Sequence, residues 1–308
     1  MPVLRSFFIA LSHNRPLRRF SEHSRLGVRV SSRFIAGMEI DDALRVAEEV
    51  NKQGITVSID SLGESVTSET EARAAAEIYH KLLDMIAERK LKANISMKLT
   101  QMGLNLSPVL AESIAESVAQ HAAKTGGFVR IDMEDSSLTQ VTMDIVHRLN
   151  TKPELHGAIG IVIQSYLFRS QKDVEQLVAD GTRVRLCKGA YDEPASVAFP
   201  SKSDVDANFI RLSKMLLDSG VFHGFATHDQ AMIDAIKNYA KERGIDPSQY
   251  EFQMLYGIRR DLQRKLVEDG YNVRVYVPFG DAWYPYYMRR LAERPANVLF
   301  MIKSLLHF

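Results

Sequence analysis

The sequence predicts an α/β protein built as a (β/α)8 barrel, because strand patterns and helix patterns alternate along the chain. Eight short runs rich in β-branched residues recur, with helical patterns between them. Such alternation implies parallel strands joined by right-handed crossovers. Eight strands are the number that closes a barrel, and a doubly wound open sheet is the alternative. The predicted strands are Ile55–Asp60, Asn94–Leu99, Phe128–Met133, Gly160–Tyr166, Thr182–Lys188, Gly224–Thr227, Glu251–Leu255 and Val273–Pro278.

Capping residues mark where several helices start. Ser68 and Glu71 have the spacing of a capping box, and apolar residues follow them at helical intervals. A helix over Glu39–Lys52 would precede the first strand and pack on the barrel as an addition to it. Two further helix starts are Ser107-Pro108 and Ser203-Asp204.

Composition fits one globular domain and excludes several classes of function. The 308 residues are 45% hydrophobic and 25% charged, which suits a single barrel with a large core. A net charge of +1 gives no overall field that would attract nucleic acid. The one cysteine, Cys187, excludes an intramolecular disulfide and any multi-cysteine metal site, and it fits a reducing compartment. No apolar run reaches the roughly 18 residues that a membrane helix needs.

The N-terminal segment is unusually basic. Residues 1–37 contain seven arginines and one acid, Glu22. A basic helical segment docked on the domain is favoured, and a transit peptide or a membrane-surface helix are the alternatives. We therefore expect one domain over residues 1–308, with residues 1–53 forming N-terminal helical additions.

Polar residues alternate with apolar ones in the predicted strands, although strands buried on both faces are usually continuous apolar runs. In the first strand Ser58 and Asp60 alternate with Val57 and Ile59. Side chains two residues apart share a face, so each strand has one apolar and one polar face. The apolar faces should pack on the helices, and the polar faces should line the barrel lumen.

The polar residues also gather late in the strands, at the end where barrels of this kind build their active sites. Buried ionisable groups cost several kcal/mol unless they are paired, so the whole set indicates a ligand site. Its cations outnumber its acids, which suits an anionic ligand. No GxGxxG motif follows a strand, which argues against a Rossmann site. The late polar residues are Asp60, Lys98, Asp132, Gln164, Arg185, Lys188, Thr227 and His228.

The segment after the eighth strand is aromatic and carries two adjacent arginines, Arg289 and Arg290. A helix that follows the eighth strand begins at the catalytic rim. If it lies across the mouth, it can bring both guanidinium groups onto a carboxylate.

Nine fragments, in one order along the chain, together resemble the proline dehydrogenase family, close to its monofunctional bacterial type. The resemblance covers roughly residues 33 to 303. The fragments are Asp60-Ser61-Leu62-Gly63-Glu64, Ser96-Met97-Lys98-Leu99, Arg130-Ile131-Asp132-Met133-Glu134, Ile163-Gln164-Ser165-Tyr166, Arg185-Leu186-Cys187-Lys188-Gly189-Ala190-Tyr191, Ala226-Thr227-His228, Glu251-Phe252-Gln253-Met254-Leu255-Tyr256-Gly257, Arg274-Val275-Tyr276-Val277-Pro278 and Tyr286-Tyr287-Met288-Arg289-Arg290-Leu291-Ala292-Glu293-Arg294.

This resemblance implies a distorted (β/α)8 TIM barrel whose last helix lies over the mouth, with non-covalent FAD as cofactor. It implies Asp132 and Arg185 as catalytic residues, and Glu64 as the acid of a gating ion pair. The implied substrate-binding residues are Lys98, Tyr276, Arg289 and Arg290. The implied FAD contacts are Met133, Gln164, Arg185, Lys188, Gly189, Ala190, Thr227 and His228.

The implied reaction is oxidation of L-proline to Δ1-pyrroline-5-carboxylate by hydride transfer from C5 to the flavin N5. Electrons would pass to a membrane quinone, so the protein would be cytoplasmic with peripheral contact at the inner face of the membrane. A pyrroline-5-carboxylate dehydrogenase would be a downstream partner. Tyr287 would crowd a ring hydroxyl, which favours proline over hydroxyproline. The loop from Gly280 to Tyr286 is shorter than in the bifunctional members, and their aldehyde dehydrogenase domain is absent here.

Three other functions fit the bare pattern of residues. A Schiff-base aldolase on the same barrel would use Lys98 or Lys188. A flavin-dependent methylenetetrahydrofolate reductase is a related barrel, but it gives no reason for the double arginine. A non-catalytic barrel would bind a metabolite without converting it.

Overall fold

A computed structural model of the chain describes residues 32–63, 65–286 and 288. Its eight strands pair in parallel in chain order, and the eighth pairs with the first, so the sheet is a closed barrel. The predicted barrel is confirmed, and every predicted strand is present to within one or two residues. The strands are β1 Thr56–Ser61, β2 Ala93–Lys98, β3 Val129–Asp132, β4 Ile159–Gln164, β5 Arg183–Cys187, β6 His223–Ala226, β7 Tyr250–Leu255 and β8 Asn272–Phe279.

A helix connects each strand to the next, and one more helix precedes the barrel. The capping at Ser68 is confirmed, since its hydroxyl accepts from the backbone N–H of Glu71. The helix predicted from Ser203 begins earlier, because the hydroxyl of Ser201 accepts from the backbone N–H of Asp204. The helices are α1 Ile40–Asn51, α2 Glu69–Glu88, α3 Pro108–Lys124, α4 Thr139–Asn150, α5 Ser170–Ala179, α6 Lys202–Asp218, α7 Gln230–Glu242 and α8 Arg260–Glu268.

The alternation of residues along the strands separates an apolar shell from a polar lumen, as predicted. Val57 and Ile59 of β1 are fully buried in the main apolar cluster, where the strands meet the surrounding helices. Ser58 lies between them in sequence, and its hydroxyl is 3.2 Å from that of Ser96 on β2. The barrel is therefore held from outside by apolar packing and filled inside by hydrogen-bonded groups.

Helix α1 packs against both β1 and β8. Its buried face is formed by small and medium apolar residues, among them Leu44 and Val46. This is the sector that the helix after the eighth strand occupies in a regular barrel. Of the predicted additions at residues 1–53, the structure describes only residues 32–53. The rest stays a prediction.

The chain after β8 turns onto the rim of the barrel instead of descending beside it. Residues 283–286 are helical, and Trp283 and Tyr284 are buried against Leu62, which follows β1. Phe34, Ile35 and Tyr286 are the other buried residues of this apolar cluster. The predicted last helix thus starts at the mouth, and its continuation beyond residue 288 lies outside the described residues.

His223, at the start of β6, makes the stability of the barrel depend on pH. It is 1% exposed, and its Nδ1 accepts from the backbone N–H of Val184 at 3.0 Å. Burial, helped by the charges of Arg130 and Arg183, lowers the pKa of His223 from 6.5 to about 3. The folded state keeps the ring neutral, so below pH 6.5 the unfolded state binds the additional proton and folding is destabilised.

We expect this linkage to cost about 2 kcal/mol of unfolding free energy at pH 5 relative to pH 7. Urea unfolding of the wild type and of His223→Gln at both pH values measures it. The variant should lose this part of the pH dependence, because glutamine takes up no proton. Identical pH dependence in the two proteins would contradict the prediction.

Candidate active site

Arg185, in the middle of β5, lies in the lumen and joins β5 to four other strands. It is 6% exposed. Its NH1 donates to Asp132 Oδ1 at 2.8 Å and to Ser96 Oγ at 3.0 Å. NH2 donates to Ser58 Oγ at 3.0 Å, and Nε donates to the amide oxygen of Gln253. A guanidinium with all three nitrogens engaged has a fixed orientation, which suits an electrostatic role.

Tyr276 of β8 bridges two carboxylates. Its hydroxyl is 2.6 Å from Asp60 Oδ2 and 3.0 Å from Asp132 Oδ2. Its single proton can be donated to only one of them at a time. Burial, followed by the charges of Asp132 and Asp60, raises the pKa of Tyr276, so the phenol keeps its proton. The ring also lies 5.4 Å from the Arg185 guanidinium carbon.

Asp60, near the end of β1, is completely buried. Lys98, the last residue of β2, donates to its Oδ2 at 3.2 Å, and Tyr79 of α2 donates to its Oδ1 at 3.3 Å. Burial raises the pKa of Asp60, Lys98 opposes this, and Asp132 adds to it. The strands thus bring together five of the predicted polar groups: Asp60, Lys98, Asp132, Arg185 and Tyr276.

Lys188 follows β5 and lies between two acids that the sequence analysis missed. Its Nζ is 2.5 Å from Asp206 Oδ1 and 2.9 Å from Asp229 Oδ2. Asp206 is on α6, and Asp229 is the N-cap of α7. Lys188 lowers the pKa of Asp229 by hydrogen bonding.

The predicted cation excess is therefore wrong for the residues that the structure describes. Lys98, Arg185 and Lys188 each form an ion pair with at least one carboxylate. Any excess depends on Arg289 and Arg290, which lie outside the described residues together with Glu64 and Tyr287.

Three of the remaining predicted cofactor contacts, Gln164, Gly189 and Ala190, lie at the end of β4 and in the loop after β5. Gln164 donates to the backbone oxygen of Glu134 at 2.9 Å, and its own oxygen accepts from the N–H of Ala190 at 3.4 Å. Gly189 has φ +121°, and a Cβ there would lie 2.5 Å from the ring of Tyr166. The loop therefore needs glycine at this position.

Three predicted contacts lie apart from that loop. The hydroxyl of Thr227 accepts from the N–H of Asp229 at 3.1 Å, and His228 Nε2 accepts from the N–H of Leu255 at 2.9 Å. Met133 packs in the main apolar cluster. Thr227 and His228 shape the rim, whereas Met133 joins it to the core.

Gln253 is a residue of the site to which the sequence analysis gave no role. It accepts from Arg185, and its Nε2 donates to Glu251 Oε1 at 2.6 Å. Glu251 also accepts from Arg274 Nε at 2.8 Å. The one signal in the sequence was the alternation of polar residues in β7, at Glu251 and Gln253.

Comparison with known proteins identifies the family. A family model described as proline dehydrogenase matches residues 43–303. The chain belongs to the proline dehydrogenase family. Proline dehydrogenase 1 of Bacillus subtilis (strain 168) is 42% identical over 306 residues, 99% of each chain. Proline dehydrogenase of Deinococcus radiodurans is 38% identical over 282 residues, 90% of each chain. The chain is thus an enzyme of the monofunctional bacterial type that oxidises proline in proline catabolism.

Solved structures support the same fold. Proline utilization A (PutA) from Bdellovibrio bacteriovorus, inactivated by N-propargylglycine, matches with a TM-score of 0.81 and 27% identity. The match covers 94% of this chain and 36% of that one, so this chain spans about a third of its length. Among the described residues, no helix is both long and apolar enough to cross a membrane.

Proposed function

We propose that the enzyme uses FAD to oxidise L-proline to Δ1-pyrroline-5-carboxylate, the first step of proline catabolism. The observation that carries this proposal is the buried network at the strand ends. In it, one oriented guanidinium, Arg185, meets the carboxylate of Asp132 beside two further donors, Lys98 and Tyr276. Such a site can orient a small zwitterion and stabilise charge that develops during its oxidation.

The residues of the rim fit a flavin dinucleotide. Gly189, which has no side chain, is proposed to let the backbone approach the cofactor closely. Lys188 is the proposed partner of the pyrophosphate, for which it would have to exchange its ion pairs with Asp206 and Asp229. Gln164 and Thr227 supply neutral polar groups. With Met133, Ala190, His228 and Arg185, these residues are the proposed contacts of the cofactor.

FAD, when bound, would supply the two-electron acceptor, its N5, for the hydride that leaves proline C5. Arg185 would stabilise the negative charge that reduction adds, because its guanidinium is already oriented by four acceptors. Proline must react as the neutral amine, and Asp132 is the proposed acceptor of the amine proton. Its bonds to Arg185 and Tyr276 hold the carboxylate in place.

Lys98, Arg289 and Arg290 are the proposed partners of the proline carboxylate, with Tyr276 beside the ring. Glu64 is the proposed acid of an ion pair that closes the site. Guanidinium groups can meet both carboxylate oxygens with parallel donors, which orients the substrate as well as binding it.

A membrane quinone is the proposed electron acceptor, and a pyrroline-5-carboxylate dehydrogenase is the proposed downstream partner. Both proposals follow from the family resemblance. They imply a cytoplasmic protein with peripheral membrane contact.

The contacts of the two lysines argue against the Schiff-base aldolase. That chemistry needs a neutral amine as nucleophile. Lys98 lies in an ion pair with Asp60, and Lys188 lies in ion pairs with Asp206 and Asp229.

The visible spectrum of the purified protein tests the proposal. We expect flavin absorbance, and we expect anaerobic L-proline to bleach it, because oxidation of proline transfers two electrons to the cofactor. D-proline is the control, since the site should bind one enantiomer. A colourless protein that also takes up no added FAD would overturn the cofactor. A yellow protein that L-proline leaves oxidised would overturn the substrate.

A further inference from the structure

We propose that Asp60 is the positioning residue of the substrate subsite, where it orients Lys98 and Tyr276 through one carboxylate. The inference rests on the proposed function, because it takes these two side chains as substrate contacts. Asp60 itself lies behind them, completely buried.

The geometry points to a shared anchor. Lys98 Nζ and the hydroxyl of Tyr276 both donate to the same oxygen, Asp60 Oδ2, at 3.2 and 2.6 Å. The two donors come from strands on opposite sides of β1, since β1 pairs with β2 and with β8. A long lysine side chain and a phenol are therefore fixed relative to one another by one oxygen atom.

The other carboxyl oxygen of Asp60, Oδ1, faces Tyr79 of helix α2. Tyr79 Oη lies 3.3 Å from Asp60 Oδ1 and from the backbone oxygen of Ser61, and 3.1 Å from Gln101 Oε1, so its single proton can be donated to only one of the three at a time. The contact between Tyr79 and Asp60 gives Asp60 an alternative, purely structural role, which is to attach α2 to the end of β1. The two roles predict different outcomes when Tyr79 loses its hydroxyl.

The network also couples Asp60 to Asp132. Tyr276 lies between them, and a hydroxyl that donates to one carboxylate must turn away from the other. Protonating Asp60 weakens its hold on Lys98 and frees Tyr276 to donate to Asp132. The titratable groups facing Asp60 are Lys98 of β2, Asp132 of β3, Tyr276 of β8 and Tyr79 of α2.

The test compares Asp60→Asn with Tyr79→Phe, using the ring-oxygen analogue of proline, which keeps the carboxylate but has no amine to oxidise. Calorimetric titration measures its affinity for each holoenzyme. We expect Asp60→Asn to weaken analogue binding roughly tenfold or more, because Lys98 loses its charged acceptor. Tyr79→Phe should bind the analogue within about twofold of the wild type, and the FAD content of both variants should match the wild type.

The pH profile is the second readout. In the wild type, affinity for the analogue should fall as pH drops through the raised pKa of Asp60. Asp60→Asn should not show this loss of affinity at low pH, because asparagine takes up no proton. If Asp60→Asn folds poorly, Asp60→Glu keeps the charge but moves the acceptor by one methylene, and it should also weaken binding.

If Asp60→Asn and Tyr79→Phe lose analogue affinity equally, the proposal is overturned and Asp60 has a structural role only. Wild-type affinity and an unchanged loss of affinity at low pH in Asp60→Asn would overturn it as well. Failure of the proposed function has a different signature. The wild type itself would then bind no analogue and would not be bleached by L-proline.

Discussion

Replacing Arg185 by alanine should slow the reduction of the bound flavin by L-proline by about 10²–10³-fold, while proline affinity changes much less. The guanidinium is oriented by Asp132, Ser96, Ser58 and Gln253 before any ligand arrives. It therefore costs no reorganisation when negative charge appears on the reduced ring. Its loss should also lower the flavin reduction potential, because the reduced form is stabilised less.

Anaerobic stopped-flow spectroscopy measures the rate of flavin reduction by L-proline. The flavin content per protein and the flavin reduction potential are measured on the same sample. Arg183→Ala is the matched control, since Arg183 is two residues away on β5 but stacks on the ring of Phe128, 4.4 Å from its centroid. Arg185→Lys keeps the positive charge but loses the paired donors of the guanidinium. Its flavin reduction rate and reduction potential should lie between those of the wild type and Arg185→Ala. Reduction rate and potential near wild type in Arg185→Ala would make this residue structural only.

Gly257→Ala should destabilise the enzyme by about 2–5 kcal/mol, the sum of backbone strain and a steric clash. Gly257 has φ +77°, and a Cβ there would lie 1.9 Å from the backbone oxygen of Arg33. The segment after Arg33 contributes Phe34 and Ile35 to the cluster that holds Trp283 and Tyr284. Moving this segment should disturb the start of the last helix and so weaken proline binding.

Gly270→Ala is the matched control for this prediction. Gly270 has φ +85°, and no heavy atom lies within 4 Å of a Cβ built there. It should show the strain alone, about 1–2 kcal/mol, and unchanged proline affinity. Urea unfolding of both variants, together with proline titration, separates strain from clash. Equal unfolding free energies for the two variants would show that the backbone at Arg33 moves away from the new Cβ without loss of stability.

The barrel could be predicted from sequence because its signals are local. β-branched runs, alternating polarity and capping residues such as Ser68 each depend on a few neighbouring positions. The placement of Asp60, Lys98 and Asp132 near the ends of their strands follows from the same pattern. These signals say which residues share an end of the barrel, and they do so without knowledge of any contact.

The pairing of charges could not be predicted, because it depends on contacts between elements distant in sequence. Lys188 is neutralised by Asp206 and Asp229, whose positions depend on how α6 and α7 pack beside β5. Tyr276 bridges Asp60 and Asp132 only because the β1–β8 register sets Ser58 opposite Tyr276. The alternation of polar residues predicts that polar side chains gather in the lumen. The strand register determines which of them form hydrogen bonds or ion pairs with one another.

The seam between β1 and β8 has a consequence for biosynthesis. Thr56 pairs with Arg274, so the first strand made is bonded to the last. While the ribosome is still translating, β1 can pair with β2 but its other edge stays open, and α1 lacks its contact with β8, until β8 emerges. A nascent chain halted before Asn272 would expose two open sheet edges and an uncovered helix face, which are surfaces that favour aggregation and chaperone binding. Closure of this barrel is thus a late event, completed when nearly the whole chain has been synthesised.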